Sequence, residues 1–354
     1  MSYDRFIKAV NLQPVDRVPA NEWLDHPEFV KELTGIDPYN APKEAVIKAI
    51  KTLDLDWYTT IPQKGRIDTR FNKNESKKEM GNGAYMVEWG FTGSTYHVEF
   101  PFEDEEDIYN YNPLEKSSYE ERLKGYEARI QNIKTQQSWV GDACYISDLY
   151  YTTLFMWFIT VYGWEQFLMA AASDPERFEN CIEWYTQMSL EYTTYFAKTD
   201  IPVFYCHDDI ALTRGLVFPP EWYRKYLWPN YERIFEPLKK AGKKIIFVSD
   251  GNYLSLLDDL VSLGIDGFVI DHFCDIENAL KRFGGKKLIC GNAHIDKLTY
   301  GTTEDVRKEV KRCMEYGHKY PGYVMKVTGD LPHNIPLDNI KAYFHYCNEY
   351  GRLK

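Results

Sequence analysis

The stretch Tyr205-Cys206-His207-Asp208-Asp209 follows the apolar run 201–204 and precedes a loop containing Gly and Pro. Three titratable side chains, those of His207, Asp208 and Asp209, therefore lie where a buried strand is predicted to end. In α/β enzymes the functional groups lie at the carboxyl ends of the strands. The stretch thus predicts an α/β fold with a site at one end of its sheet.

The same pattern recurs downstream. Further apolar runs end in Ser249-Asp250-Gly251-Asn252, in Asp271-His272 and in Cys290-Gly291-Asn292-Ala293-His294. Parallel strands end at a common edge, so this series of polar endings predicts one shared rim.

Helical and strand-like segments alternate from about residue 119 onward. With the N-terminal pieces they give about eight βα units, the number that closes a barrel. A doubly wound sheet has the same periodicity, but no GxGxxG follows the first strand and no Walker-type loop occurs. We therefore predict a single (β/α)8 TIM barrel over residues 1–354. Its predicted helices from residue 119 onward are 119–135, 154–172, 175–198, 220–241, 252–263, 276–283, 304–317 and 337–349.

Residues 63–110 differ in character from the rest. Runs at 66–71, 85–89 and 94–100 alternate as strands, separated by Gly81-Asn82-Gly83 and Thr92-Gly93 turns. We predict an antiparallel β insertion over 63–110 within the barrel.

Composition limits the classes of function. The net charge of −11 argues against binding of nucleic acid or of an anionic membrane. The N-terminus lacks an apolar signal core, and no apolar run approaches the ~20 residues of a membrane span. Seven cysteines without CxxC spacing suit a reducing cytoplasm. The 28 Tyr, 19 Phe and 9 Trp fit either core packing or an aromatic-lined ligand cavity.

Several strand-end residues are candidates for chemistry. His207 and Asp209 could bind a metal, orient a general base or cap the next helix. Asp250 could be catalytic or an N-cap, a role that Asn252 could equally fill. His294 is a pocket candidate because Gly291 permits close backbone approach.

Two further histidines have weaker signals. His272 and Cys274 are one residue apart, and one such pair does not supply the four ligands that zinc needs. His333, on a loop after the last strand, could equally be an ordinary surface residue.

Motifs along the chain resemble the uroporphyrinogen decarboxylase superfamily. They are Asp4-Arg5-Phe6 with Pro14-Val15-Asp16-Arg17-Val18-Pro19, Tyr162-Gly163-Trp164-Glu165-Gln166-Phe167-Leu168, Asp208-Asp209, Phe218-Pro219-Pro220-Glu221-Trp222-Tyr223-Arg224, Gly301-Thr302-Thr303-Glu304-Asp305-Val306 and Ile335-Pro336-Leu337-Asp338-Asn339-Ile340-Lys341. The resemblance implies a (β/α)8 barrel with its site at the strand carboxyl ends.

Departures from the family's motifs limit which of the family's activities we expect. Decarboxylases carry the loop Met-Arg-Gln-Ala-Gly-Arg for substrate carboxylates, where this chain has Asn21-Glu22-Trp23-Leu24-Asp25-His26. Two acids and no arginine would repel a polycarboxylate. The thiol-methylating branch binds zinc through a His-x-Cys pair and a later Cys, and those positions hold Ser249, Gly251 and Gly329. The resemblance then implies the branch that transfers a methyl group from a small donor to a Co(I) corrinoid on a partner protein.

We therefore expect a corrinoid-dependent methyltransferase of the O-demethylase type, with methoxylated aromatics as the expected donors. The expected catalytic residues are His207, Asp209, Asp250 and His294, and the expected substrate-binding residues are Glu22, Trp23, Asn252, His272 and His333. A metal held by His207 and Asp209, zinc included, stays open. So do a homodimer, a carboxy-lyase acting on a small non-porphyrin substrate, and a non-catalytic binding subunit.

Overall fold

The computed structural model describes residues 2–63, 77–79, 85–89, 91–92 and 94–353 of the protein. Its α-helices are α1 (Ser2–Val10), α2 (Pro27–Thr34), α3 (Pro42–Leu53), α4 (Glu105–Tyr109), α5 (Tyr119–Val140), α6 (Phe155–Tyr162), α7 (Trp164–Ser173), α8 (Pro175–Ala197), α9 (Pro220–Trp222), α10 (Trp228–Lys240), α11 (Leu257–Ser262), α12 (Ile276–Phe283), α13 (Ile295–Tyr300), α14 (Thr303–Lys319) and α15 (Leu337–Tyr350). Its strands are β1 (Leu24–Asp25), β2 (Trp57–Tyr58), β3 (Lys77–Glu79), β4 (Tyr85–Trp89), β5 (Ser94–Glu99), β6 (Tyr145–Ile146), β7 (Leu149–Tyr150), β8 (Val203–His207), β9 (Ala211–Leu212), β10 (Gly215–Leu216), β11 (Lys244–Val248), β12 (Gly267–Val269), β13 (Leu288–Cys290), β14 (Tyr323–Val324) and β15 (Leu331–Pro332).

A six-stranded parallel sheet organises the carboxyl-terminal half. Its strand order is β14-β13-β12-β11-β8-β7, and all neighbours are parallel. Every residue of β8 is buried, as expected for a strand covered on both faces. His207 pairs with Val248, so β8 and β11 end side by side. The predicted α/β fold with a parallel sheet is confirmed.

Shorter pairings connect the N-terminal pieces to this sheet. Strands β2 and β6 are parallel, as are β1 and β15. Single parallel bridges join Ala20 to Met325 and Asn21 to Trp57. The segment at 20–21 therefore lies between β2 and the segment that follows β14.

Helix boundaries follow local chemistry. Ser118 and Glu121 form a capping box at the start of α5, and the Asp174 side chain accepts from the Arg177 amide at the start of α8. The helix predicted over 154–172 is wrong as one element, since α6 and α7 are separated by Gly163. This glycine has φ +78°, and a Cβ there would lie 2.7 Å from the Phe100 ring.

Other predicted helices are also interrupted or shortened. A π-helical turn over Tyr223–Leu227 separates α9 from α10 within the predicted 220–241. Only the second part of the predicted 252–263 is α-helical, because a 3-10 turn over Leu254–Leu256 precedes α11.

Strands β3, β4 and β5 form an antiparallel sheet. The predicted run 66–71, the Gly81-Asn82-Gly83 turn and Gly93 lie outside the described residues. The boundaries 63–110 of the insertion therefore stay a prediction.

Aromatic residues supply much of the buried core. Phe158 contacts the rings of Tyr162, Phe167, Phe178 and Tyr185 at centroid distances of 5.1–6.3 Å. Within the described residues, no helix is both long and apolar enough to cross a bilayer.

Candidate functional site

A cavity of about 600 Å³ lies at the carboxyl ends of the parallel strands. All six strands of the parallel sheet contribute lining residues at or just after their carboxyl ends, and so does β2. They include Glu22, Trp23, Thr59, Tyr151, His207, Asp250, Asp271, Gly291 and Lys326. The predicted common rim is therefore the wall of a hollow that could hold a small molecule.

His207 and Asp209 form a direct pair beside this cavity. His207 Nε2 lies 2.9 Å from Asp209 Oδ1, which also accepts a hydrogen bond from the Asp250 amide at 2.8 Å. His207 Nδ1 is buried and has no hydrogen-bond partner. The imidazole is thus held at one nitrogen, and the other is unengaged beside the cavity.

Charges around His207 determine its protonation. Burial lowers the pKa of His207, but the carboxylates of Asp209, Asp250 and Asp208 outweigh burial and raise it. The pKa of Asp209 is lowered, because the attraction and hydrogen bond of His207 outweigh burial. These directions favour an imidazolium next to a carboxylate.

Asp250 completes this acidic group. Desolvation, followed by the charge of Asp209, raises the pKa of Asp250 to about 6. Its side chain is nevertheless exposed. Solvent in the cavity therefore screens part of the upward shift in the pKa of Asp250.

Asp208 has a structural role. It is fully buried and accepts hydrogen bonds from the amides of Leu154, Phe155 and Met156 at 2.6, 3.1 and 2.8 Å, and from the Tyr231 hydroxyl. Three unsatisfied amides at the start of α6 find their acceptor in this carboxylate. Asp208 thus ties α6 to the end of β8.

On another wall, Glu22 and Lys326 are buried. Glu22 accepts hydrogen bonds from the Tyr343 hydroxyl and from the Val327 amide, at 3.1 Å for the amide. Desolvation raises the pKa of Glu22 to about 7, although the charge of Lys326 opposes this shift. The Lys326 ammonium donates to the Gly329 carbonyl at 3.3 Å.

Aromatic side chains form further parts of the wall. Trp23 lines the cavity, and its buried indole N–H has no hydrogen-bond partner. The Tyr151 ring lies edge-on to His207 at a centroid distance of 4.4 Å. Tyr151 also lines a second cavity of about 700 Å³, together with Phe102, Trp164 and Asp209. Tyr151 therefore stands between two adjoining hollows.

The predicted site residues divide into two groups. Glu22, Trp23, His207 and Asp250 line the first cavity, and Asp209 contacts His207 from the second. The others lie outside both linings, among them His294, the N-cap residue of α13.

Three further predicted residues lie away from the cavity. His272 lies against His294, with ring centroids 4.4 Å apart. The Asn252 backbone amide donates to the Leu212 carbonyl at 2.9 Å, and its side-chain oxygen accepts from the Leu254 amide at 3.4 Å. His333 is exposed on a loop after β15.

The cavity wall also contains Tyr151, Lys326 and Asp330, which were not among the predicted site residues. Lys326 had a usable signal, since it is the charged residue within the apolar run 322–327. Tyr151 had none, because many tyrosines of this chain are ordinary core residues.

The residues at the family's zinc positions do not fit that ion. Gly251 and Gly329 have no side chain. The Ser249 hydroxyl donates to the Asp250 carbonyl at 2.8 Å and accepts from the Ile210 amide at 3.1 Å. Zinc prefers thiolate, imidazole or carboxylate ligands, so these three positions do not hold it.

Comparisons with known proteins agree on the fold. A methyltransferase from Methanosarcina mazei superposes with a TM-score of 0.68 and 17% identity, covering 99% of this chain and 98% of that one. Among curated relatives, the uroporphyrinogen decarboxylase of Francisella philomiragia is 22% identical over 64% of this chain and 70% of its own length. That of Carboxydothermus hydrogenoformans is 25% identical over 38% of each chain. Its matched stretch is well under half of that relative.

A match to a protein-family model shows which family the chain belongs to. The model for uroporphyrinogen decarboxylase (URO-D) matches residues 152–350, more than half of the chain. The matched region contains the polar strand ends from β8 to β13 and the cavity wall that they build. The chain belongs to the uroporphyrinogen decarboxylase family.

Proposed function

We propose that this protein is a methyltransferase that moves a methyl group from a small donor, a methoxylated aromatic, to the Co(I) corrinoid of a partner protein. One observation carries the proposal. His207, paired with Asp209, lies at a cavity of about 600 Å³ with an unpartnered Nδ1. Such a group can give a proton to a bound donor.

The chemistry requires an acid. An ether oxygen is a poor leaving group, so it needs a proton as the C–O bond breaks. The electron pair of that bond stays on oxygen, which takes a proton from the His207 imidazolium and leaves as a phenol. The carboxylates of Asp209 and Asp250 keep His207 protonated. A reduced corrinoid, when its carrier is docked, supplies the nucleophile for the methyl carbon.

The walls suit an aromatic donor. Trp23, Tyr151 and Tyr205 line the cavity and offer ring faces and edges.

Exposed apolar side chains support a docking partner. Tyr151, Leu212 and Phe273 are 46%, 51% and 44% exposed. They follow β7, β8 and β12, so all three lie at the strand ends near the cavity. Exposed apolar groups of this kind are typical of protein interfaces. A homodimer stays a prediction.

We interpret the sheet as a closed (β/α)8 barrel. The bridges Ala20–Met325 and Asn21–Trp57 and the β2–β6 pair place the N-terminal segments parallel to their neighbours, as does the six-stranded sheet for its own strands. This supports the barrel, and the M. mazei methyltransferase fold is consistent with it.

Carboxy-lyase activity is the second candidate, because the curated relatives are uroporphyrinogen decarboxylases. Within the described residues, no arginine lines the cavity, whereas Glu22, Asp250, Asp271 and Asp330 do. These acids disfavour a polycarboxylate substrate. A carboxy-lyase would therefore need a smaller, less anionic substrate.

The test is methyl transfer from a panel of methoxylated aromatics to a reduced corrinoid protein. We expect a phenol product and stoichiometric methylation of the carrier. Release of carbon dioxide without a corrinoid protein would instead support a carboxy-lyase. Ligand binding without turnover of any donor would leave a non-catalytic binding subunit.

A further inference from the structure

We propose that His272, His294 and Asp296 form a binding site for a divalent transition ion of the Zn²⁺ class. One nitrogen of each ring and one carboxylate oxygen lie within 4.8 Å of one another. The site lies after β12 and β13 and lines neither of the two cavities described above. It is independent of the proposed methyl transfer.

Neither imidazole makes a hydrogen bond through its Nδ1. Nδ1 of His272 and Nδ1 of His294 are both buried. The His272 side chain is 8% exposed, and its Nδ1 lies 2.9 Å from Asp271 Oδ1 without hydrogen-bond alignment. A buried polar atom without a hydrogen bond costs free energy. Two neighbouring imidazoles of this kind point to a ligand that accepts electron pairs.

Backbone contacts hold both histidines in place. The His272 amide donates to Thr328 Oγ1 at 2.9 Å, and the His294 amide donates to Glu309 Oε1 at 2.9 Å. Glu309 is itself fixed by Arg312 at 2.6 Å. Such supporting contacts orient metal ligands before the ion binds.

Asp296 can complete the set. It lies in the first turn of α13 and is exposed, so its side chain can rotate. Ligand atoms around zinc, each about 2.0 Å from it, stand roughly 3.3 Å apart in a tetrahedron. A rotation of the Asp296 side chain can bring its carboxylate closer to the two rings and so shorten the distances between the ligand atoms. Three protein ligands leave a fourth position for water.

The expected consequence is a tie between two loops. His272 follows Asp271, and His294 follows Gly291 by three positions; both Asp271 and Gly291 line the first cavity. An ion would therefore fix the spacing of this part of the wall without contacting a substrate.

The experiment uses full-length protein stripped with a chelator. Zn²⁺ binding is followed by calorimetry, and Co²⁺ binding by absorption. We expect one equivalent for the wild type and a loss of at least ~10-fold in affinity for His272→Ala and for His294→Ala. Asp296→Asn should weaken binding less. His345→Ala, an exposed histidine beside Glu349 on α15, is the matched control and should bind like the wild type.

Wild-type protein without stoichiometric binding would overturn the proposal, as would ligand variants that bind like the control. Circular dichroism checks folding, and the surface variant Asp296→Asn keeps the test decisive if a histidine variant unfolds. If His207→Gln abolishes binding and His272→Ala does not, the ion belongs to the cavity and this assignment is wrong. Neither result depends on methyl transfer.

Discussion

Two walls of the first cavity place a carboxylate near a cation, with opposite outcomes. On one wall Asp209 bonds directly to His207 at 2.9 Å, and the pKa of Asp209 is lowered. On the other, Glu22 bonds to Tyr343 and to the Val327 amide, while Lys326 acts on it only as a neighbouring charge. Burial then prevails, and the pKa of Glu22 rises to about 7.

On these two walls, the charge and hydrogen bond of His207 lower the pKa of Asp209, whereas the neighbouring charge of Lys326 does not offset the burial of Glu22. A hydrogen-bonded pair recovers what each ion loses in leaving water, whereas a more distant charge recovers less. The first wall therefore holds a charged pair suited to proton transfer. The second holds an acid that titrates near neutrality. Variants on each wall should separate these two behaviours.

Replacing His207 should have the largest effect. His207→Gln keeps a polar side chain but removes the imidazolium that donates the proton. General acid catalysis typically contributes ~10²- to 10⁴-fold, so the rate of methyl transfer should fall by that factor. The measurement is single-turnover methylation of the corrinoid protein.

His345→Gln, exposed on α15, is the control and should retain the wild-type rate. A His207 variant with near wild-type turnover would remove the charged pair from the mechanism.

Glu22→Gln should change how stability depends on pH. The pKa of Glu22 is about 7 in the folded protein and about 4.5 when unperturbed, so the folded state binds this proton more tightly. Protonated Glu22 therefore contributes on the order of 3 kcal/mol to the free energy of unfolding. This contribution is fully present below pH ~4.5 and is lost as pH rises to about 7. Glutamine does not titrate, so the variant should lose less stability over this range. Urea unfolding at about pH 5 and about pH 8 measures the difference.

Equal pH dependence in Glu22→Gln and wild-type protein would mean that Glu22 is ionised throughout. Direct pairing would then not be what distinguishes the walls.

Asp208→Asn should affect stability, although Asp208 lies between the proposed catalytic residues His207 and Asp209. Asp208 accepts hydrogen bonds from three amides at the start of α6, and asparagine has one acceptor oxygen and no charge. At least one buried amide should lose its partner, at a cost of about 1–3 kcal/mol in the free energy of unfolding. Thermal unfolding measures this loss.

Asp258→Asn is a suitable control, since this exposed residue pairs with Arg282 on the surface and its loss should cost under ~1 kcal/mol. Similar losses in the two variants would argue against a capping role for Asp208.

Much of the framework is predictable from the sequence. Apolar runs that end in polar residues place β8, β11, β12 and β13, because buried parallel strands require such runs and their ends face a common edge. Helix α2 was not predicted, although Pro27 at its first turn and the His26 side chain, which accepts from the Phe29 amide, are recognisable signals.

Long-range contacts explain the rest. Gly163 separates α6 from α7, and Phe100, from a distant segment, leaves no room there for a Cβ atom. His207, Asp209 and Asp250 were predictable as a group, since they end neighbouring strands. The absence of His272 and His294 from the cavity wall was not, because strand-end position does not specify the direction of a side chain.

Asp209→Asn should have the smallest effect and the most specific signature. The amide removes the charge that most raises the pKa of His207, while Asp250 and Asp208 remain. The pKa of His207 should fall, so less imidazolium is available at neutral pH. We expect a loss of about 10-fold in rate near neutrality, and a descending limb of the pH–rate profile that moves to lower pH. Turnover across pH measures both, and NMR titration of His207 checks the assignment. A uniform loss of rate with an unmoved limb would instead mean that Asp209 orients the ring without holding its proton.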